Sequence, residues 1–265
     1  MQHIKVLTMH IRMIKGKGGS PVLFLHGFLE SGEIWNSWLS REIWNADLLM
    51  PDLPGHGKSK EWENDRGFLG WSEYLMKQVD EMYGNDEMIQ LVGHSMGGYL
   101  ALEMALHFPG RIKRIVLLHS TPMPDSSLQI QRREKQIELI DKGRKSLLVK
   151  NVGLSMFAPE NRKRLAELGK ELNLQARECS ASGMINALNA IRSRADYHIV
   201  MKKRMQDILL ITGGQDPFMP TDYYKILLSH YPEMSHHHFA KCGHASFLEV
   251  PELSLQIVKR FLGDG

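Results

Sequence analysis

Apolar residues along this chain fall into short continuous blocks separated by longer stretches of helical spacing. Pro21-Val22-Leu23-Phe24-Leu25, Ala46-Asp47-Leu48-Leu49-Met50 and Met88-Ile89-Gln90-Leu91-Val92 are such blocks. Arg111 to Leu118 and Asp207 to Thr212 supply two more, His236 to Ala240 is a candidate last strand, and His3 to Ile14 alternates loosely. Runs of that length ending in glycine, proline or aspartate predict buried strands. Between them, Trp71 to Met82 places Trp71, Tyr74, Leu75, Val79 and Met82 at helical spacing. Tyr99 to Phe108 and Leu253 to Leu262 read as helices too. Strands alternating with helices predict a mostly parallel sheet covered on both faces.

One stretch breaks the alternation. Between Thr121 and about Met205 no strand is expected. Residues 131–142, 144–152, 161–174 and 182–193 predict four helical pieces, punctuated by Pro122, Pro124 and Pro159. An insertion after the carboxyl end of a strand lies over the crevice where open α/β sheets bind ligands. The expected organisation is a core of residues 1–120 and 206–265 with a helical cap of residues 121–205.

Composition narrows the partners. A chain of 265 residues with 43% hydrophobic content builds a large core. The net charge of +3 is spread thinly, so no nucleic-acid partner is expected. The two cysteines, Cys179 and Cys242, form no C-x-x-C pair and suit a reducing compartment. The N-terminal residues lack a signal-peptide apolar run, and no segment approaches the ~20 apolar residues of a membrane span. The expectation is a cytoplasmic protein with no membrane partner. Composition leaves the oligomeric state open.

Chemistry concentrates at Gly93-His94-Ser95-Met96-Gly97-Gly98. A serine between the end of a strand and the start of a helix, with glycines two residues either side, is a nucleophile elbow. Gly93 and Gly97 leave room where a side chain would strike the neighbouring strand or helix. The Met96 N–H, at the positive end of the following helix, is placed to receive an oxyanion. Acyl transfer then needs a base, a group to orient it and a second oxyanion donor. His244, in Gly243-His244 after the last strand, is the candidate base. Asp216, in Gly214-Gln215-Asp216-Pro217, is the candidate acid. The rival acid position, after Leu118, reads His119-Ser120-Thr121, with no carboxylate before Asp125. The Phe28 N–H, in His26-Gly27-Phe28, is the candidate second donor.

These segments, together with Asp52-Leu53-Pro54-Gly55-His56-Gly57-Lys58-Ser59, occur in the order and spacing of α/β-hydrolase fold proteins, which the chain resembles over nearly its whole length. The resemblance implies a mostly parallel doubly wound sheet with a helical cap inserted after the sixth strand, trimmed at its N-terminal edge. It implies Ser95 as nucleophile, Asp216 as acid, His244 as base, and the Phe28 and Met96 amides as oxyanion hole. No cofactor is expected. Nor is a metal, since adjacent residues of His236-His237-His238 alternate faces on a strand.

A fold hosts many chemistries. Serine at the elbow argues against the dehalogenases and epoxide hydrolases of this family. The loop His26 to Gly32 resembles that of small bacterial carboxylesterases, so the expected substrate is a small carboxylic ester or related carbonyl compound. Two alternatives stay open. One is a carbon–carbon bond hydrolase or pyruvate-eliminating lyase, which calls for cationic cap residues such as Arg132, Arg133, Arg192 or Arg194. The other is a non-catalytic small-molecule receptor. Trp35, Tyr99, Phe157, Met184, Phe218 and Phe247 are the candidate pocket walls.

Overall fold

The apolar blocks form one seven-stranded sheet in a computed structural model that describes residues 8–62, 66–219 and 223–264. The strands are β1 (Ile11–Ile14), β2 (Gly19–Leu25), β3 (Ala46–Pro51), β4 (Ile89–His94), β5 (Ile112–Leu118), β6 (Ile208–Gly213) and β7 (Ser235–Phe239). Their spatial order is β1-β3-β2-β4-β5-β6-β7. Only β1 runs antiparallel, against β3. Of the early strand expected over residues 3–14, residues 3–7 lie outside the described residues and Ile11–Ile14 is β1.

Side chains of successive residues point to opposite faces, so each buried strand feeds two cores. Leu23, Leu25, Leu91, Ile115 and Leu117 face one side. There they meet α2 (Gly67–Tyr83) and α3 (Met96–His107) through Trp71, Leu75, Val79, Leu100 and Met104. Val22, Phe24, Val92, Val116 and Leu118 face the other. Trp35, Trp38 and Phe247 cover that side, with Leu255 and Val258 of the C-terminal helix Pro251–Leu262. The short helix α1 (Asn36–Leu39), which carries Trp38, has no period long enough to be read from sequence.

Six helices lie between β5 and β6: α4 (Ser127–Asp141), α5 (Lys145–Val149), α6 (Val152–Ser155), α7 (Ala166–Glu178), α8 (Ala181–Arg192) and α9 (His198–Arg204). The helix expected over 144–152 is two pieces. Asn151 leaves the helical conformation and Asn173 Oδ1 accepts from the Gly153 N–H at 2.9 Å. The one expected over 161–174 starts later, after a 3-10 turn at Pro159–Asn161. The insertion point, expected after a sixth strand, follows the fifth described strand, because only β1 precedes β2 among the described residues. α8 packs on the loop after β3: Gly183 sits so close to Gly55 that a Cβ on either would collide with the other. The remaining helices are α10 (Tyr223–His230), α11 (Ser246–Glu249) and α12 (Pro251–Leu262).

Registry aligns the carboxyl ends of the strands. Leu25 pairs with Gly93, Gly93 with Leu117, and Leu118 with Ile211. The loops carrying Phe28, Ser95, His119, Asp216 and His244 therefore leave one edge of the sheet. No helix of the described residues is long and apolar enough to cross a membrane.

Candidate active site

Ser95 has φ 50° and ψ −113°, a conformation that non-glycine residues rarely adopt. Its surroundings hold it there. The Ser95 N–H donates to the Leu118 carbonyl at 2.9 Å, and the Ser95 carbonyl accepts from the Gly98 N–H and the Ser120 hydroxyl. A Cβ on Gly97 would strike the Leu25 carbonyl, and one on Gly93 would strike the Gly97 carbonyl. The turn stores strain that its packing over-determines. Met96 opens α3, so its N–H has no acceptor within the helix.

Asp216 and His244 meet as expected: His244 Nδ1 lies 2.7 Å from Asp216 Oδ2. Asp216 Oδ1 accepts from the backbone N–H groups of Phe218 and Met219 at 2.9 and 3.2 Å. The carboxylate has a further partner that sequence reading did not find. His119 Nδ1 reaches the same Oδ2 at 3.1 Å. The Ser246 N–H points at His119 Nε2 at 3.1 Å, so that nitrogen is an acceptor and Nδ1 carries the proton. Burial pushes the His119 imidazole down to about 4, so it stays neutral. Burial opposes the charge on Asp216, but the attraction of His244 and the bonds from both histidines hold it well below the usual carboxylate range. One atom from each of the three groups lies within 4.8 Å of the others, with Asp216 Oδ2 as the acceptor shared by both histidines. The only hint of His119 in the sequence is its place at the end of β5, the rival position for the acid.

A second buried group ties the neighbouring loops. Glu30 Oε2 accepts from the Gly27 N–H at 2.5 Å and lies 2.9 Å from His94 Nδ1. His94 Nε2 lies 2.8 Å from the His244 carbonyl. Behind His244, Glu249 accepts from the Gly243 N–H at 2.7 Å and from the Ala158 N–H at 2.9 Å. The conspicuous Asp52-to-Ser59 segment is scaffold: Asp52 accepts from the N–H groups of Gly32 and Lys58, and the Leu53 N–H donates to His26 Nε2.

A cavity of about 920 Å³ opens above Ser95, Met96, Phe28 and His244, with helices of the 127–204 segment on its far side. Tyr99 and Phe218 line it, as expected. Trp35, Phe157, Met184 and Phe247 do not. All four are fully buried core, because the aromatic cluster beneath α12 and the interior of the helical segment claim them. Arg132, Arg133, Lys150 and Arg194 contribute to the wall, whereas Arg192 pairs with Glu134 outside it. Arg194 is buried, bonded to Asp125 at 2.6 Å and set 4.0 Å over the Tyr99 ring. Arg133 reaches the other oxygen of Asp125 at 3.2 Å. The three consecutive histidines lie on β7 away from this site, with His236 and His238 both sharing Thr212 Oγ1 and stacking on Tyr224.

A strained serine at the strand-to-helix turn, a histidine bonded to a carboxylate, and both opening on one cavity define a class. The chain belongs to the α/β-hydrolase fold family, whose model matches residues 20–251. Within that family it is 24% identical over 259 residues to a 2-hydroxy-6-oxononadienedioate/2-hydroxy-6-oxononatrienedioate hydrolase of Pseudomonas, covering 93% of this chain and 89% of that protein. It is 24% identical over 245 residues to a pimeloyl-[acyl-carrier protein] methyl ester esterase of Nitrosomonas europaea, covering 88% and 92%. Among solved structures, a thermophilic esterase from Thermogutta terrifontis superposes with a TM-score of 0.84 at 19% identity, covering 96% of this chain and 93% of that one.

Proposed function

We propose that this α/β hydrolase cleaves small carboxylic esters through an acyl-enzyme on Ser95. The observation that carries the reading is the Asp216–His244 hydrogen bond at the rim of the cavity that also exposes Ser95. Asp216 fixes the Nδ1–H tautomer of His244, which leaves Nε2 free to take the serine proton. Ser95 Oγ attacks the ester carbonyl, and the tetrahedral oxyanion sits between the Phe28 and Met96 N–H groups. Each such donor is worth about 3 kcal/mol in the transition state. His244 then protonates the leaving alcohol, and a water that it deprotonates releases the acid. These steps use side chains, backbone amides and water alone.

The volume of the cavity suits a small molecule. In this reading residues 121–205 act as a cap that shapes it, over a core of residues 1–120 and 206–265. The buried, unpaired Cys179 and Cys242 support a reducing, cytoplasmic setting.

One observation favours a second reading, hydrolysis of a carbon–carbon bond in a carboxylated substrate. Among the described residues four cations, Arg132, Arg133, Lys150 and Arg194, line the cavity beside three acids, Glu30, Asp125 and Asp196, and Arg133 and Arg194 share the carboxylate of Asp125. Such a wall favours an anionic substrate.

The test is hydrolysis of a p-nitrophenyl ester series from acetate to decanoate by wild type beside Ser95→Ala. Turnover that disappears in the variant supports the esterase, and the preferred chain length sizes the cavity. Well-folded wild type that is inert on these esters, yet cleaves a carboxylated dienoyl ketone, replaces the first reading with the second. Binding of either compound without turnover supports a receptor.

A further inference from the structure

Glu30 and His94 are buried groups with charge-bearing chemistry that the proposed reaction does not consume. They stand where three parts of the site converge. Glu30 lies two residues after Phe28 and takes the Gly27 N–H, so its carboxylate is bonded to the backbone of the loop that presents the Phe28 amide. His94 is the residue before Ser95 and closes β4. Its far nitrogen is bonded to the main-chain carbonyl of His244 itself. The His94 ring also packs against the His244 ring, with centroids 4.9 Å apart, and against Phe247 at 5.0 Å.

The ends of this chain fix the roles of its outer atoms. The His244 carbonyl only accepts, so His94 Nε2 carries a proton. The Gly27 N–H only donates, so Glu30 Oε2 accepts there. The proton between Oε2 and Nδ1 is not fixed by those ends; the attraction of the pair places it on Nδ1, so that a carboxylate faces an imidazolium. Burial alone would discharge both groups, yet the attraction between them holds Glu30 below and His94 above their ordinary ranges. A buried ion pair of this kind is a weak source of net stability. It is a strong source of geometry, because every lone pair and proton in the line has one partner.

We propose that Glu30 and His94 are positioning residues: a charged strut that sets the spacing between the Phe28 amide, Ser95 and the His244 imidazole. The strut spans the oxyanion loop, the elbow and the base loop through hydrogen bonds of 2.5, 2.9 and 2.8 Å. His94 does not line the cavity, and Glu30, which borders it, has the carboxylate oxygen Oε2 engaged by the Gly27 N–H and His94. Both act through the backbone of residues that touch substrate. Displacements of about 1 Å in such groups cost on the order of 100-fold in rate.

Glu30→Gln keeps the shape and breaks the pattern. A Gln oxygen can satisfy the Gly27 N–H, but a neutral His94 cannot then protonate both of its nitrogens. His94→Gln leaves Glu30 without its cation. The double variant removes both charges together.

The proposal rests on the serine-hydrolase reading, so the readout is chosen to separate the two. A fluorophosphonate probe phosphonylates an activated serine with loss of fluoride, and needs nucleophile, base and oxyanion hole without any knowledge of the substrate. Labelling is followed over time at several probe concentrations, to resolve the maximal rate from the reversible binding constant, with melting temperature measured on the same samples. Wild type labels at Ser95 and Ser95→Ala does not; unlabelled wild type overturns the hydrolase reading itself. Given labelled wild type, Glu30→Gln and His94→Gln each lose about tenfold or more in maximal rate, with the binding constant within about threefold. The double variant falls no further than the worse single one, since the pair acts as a unit. Val79→Ala, a cavity in α2 remote from the site, lowers the melting temperature without changing the rate. Variants of Glu30 and His94 that behave like Val79→Ala overturn the proposal. Where Glu30→Gln yields no folded protein, Glu30→Asp decides: it keeps the charge but draws the loop in by one methylene, and an unchanged labelling rate there overturns the strut.

Discussion

At the residue scale, the site depends on single atoms whose partners leave them no freedom. Asp216 uses one carboxylate oxygen for two backbone amides and the other for two histidines. A carboxylate in that cradle is acceptor only, and that is what keeps the His244 proton on Nδ1. Asp216→Asn presents an amide that donates, so His244 accepts at Nδ1 and carries its proton on the side facing Ser95. The expected outcome is a fall of about 10⁴ in kcat with KM nearly constant, read from steady-state ester hydrolysis. A loss confined to KM would mean that Asp216 shapes the cavity and does not orient the base.

At the element scale, the helical segment and the sheet are joined through a contact with no side chains. α8 enters with Ser180 accepting from the Gly183 N–H, and the Ser180 N–H donates to the Gly55 carbonyl at 3.3 Å. Gly183 then lies against Gly55 with no space for a Cβ between them. Gly183→Val forces the helix off the loop, for about 1–3 kcal/mol of lost stability measured by urea unfolding. Because Ile191 and Arg194, on α8 and just after it, line the cavity, the same variant also shifts the preferred ester chain length. An unchanged urea midpoint and chain-length profile would show that α8 does not need this contact to hold its place.

At the scale of the whole molecule, the sheet edge gathers buried histidines, and most of them stay neutral. Burial lowers His26, brings His56 down to about 3 and His119 to about 4. Each binds a proton in the unfolded chain near pH 6.5 that it refuses when folded. Their contribution to stability is complete above that pH and is lost as pH falls toward the folded values, at up to about 1.4 kcal/mol per pH unit for each neutral histidine. Asp216 and Glu30, held below the usual carboxylate range, extend the same acid loss below about pH 4.5. His94, held above its ordinary value, has the opposite sign: its contribution is complete below pH 6.5 and fades as pH rises through its raised value. Denaturation curves at pH 7.5, 6.5, 5.5 and 4.5 are expected to show little change between the first two and steep loss across the two steps below pH 6.5. A flat profile would mean that these histidines ionise without hindrance in the folded protein.

The sequence alone determined what local rules control. Apolar blocks predicted the strands β2 to β6, glycines two residues either side of Ser95 predicted the elbow, and loops after strand ends located Asp216 and His244. Those features depend on spacing along the chain, and spacing is what a sequence records. Helices shorter than two turns, such as α1 and α6, were illegible because they have no period to read. The pocket was legible only in part. An aromatic or methionine side chain has the same character in a core as in a wall, so Trp35, Phe157, Met184 and Phe247 could be told from Tyr99 and Phe218 only by what packs behind them. Tertiary structure alone decided the contacts between residues far apart in the chain. It brought His119 to Asp216 across 97 positions, Glu30 to His94 across 64, and His94 to the His244 carbonyl across 150. Buried polar groups must find partners, and which partners they find is decided by the parallel registry that brings every strand end to one edge.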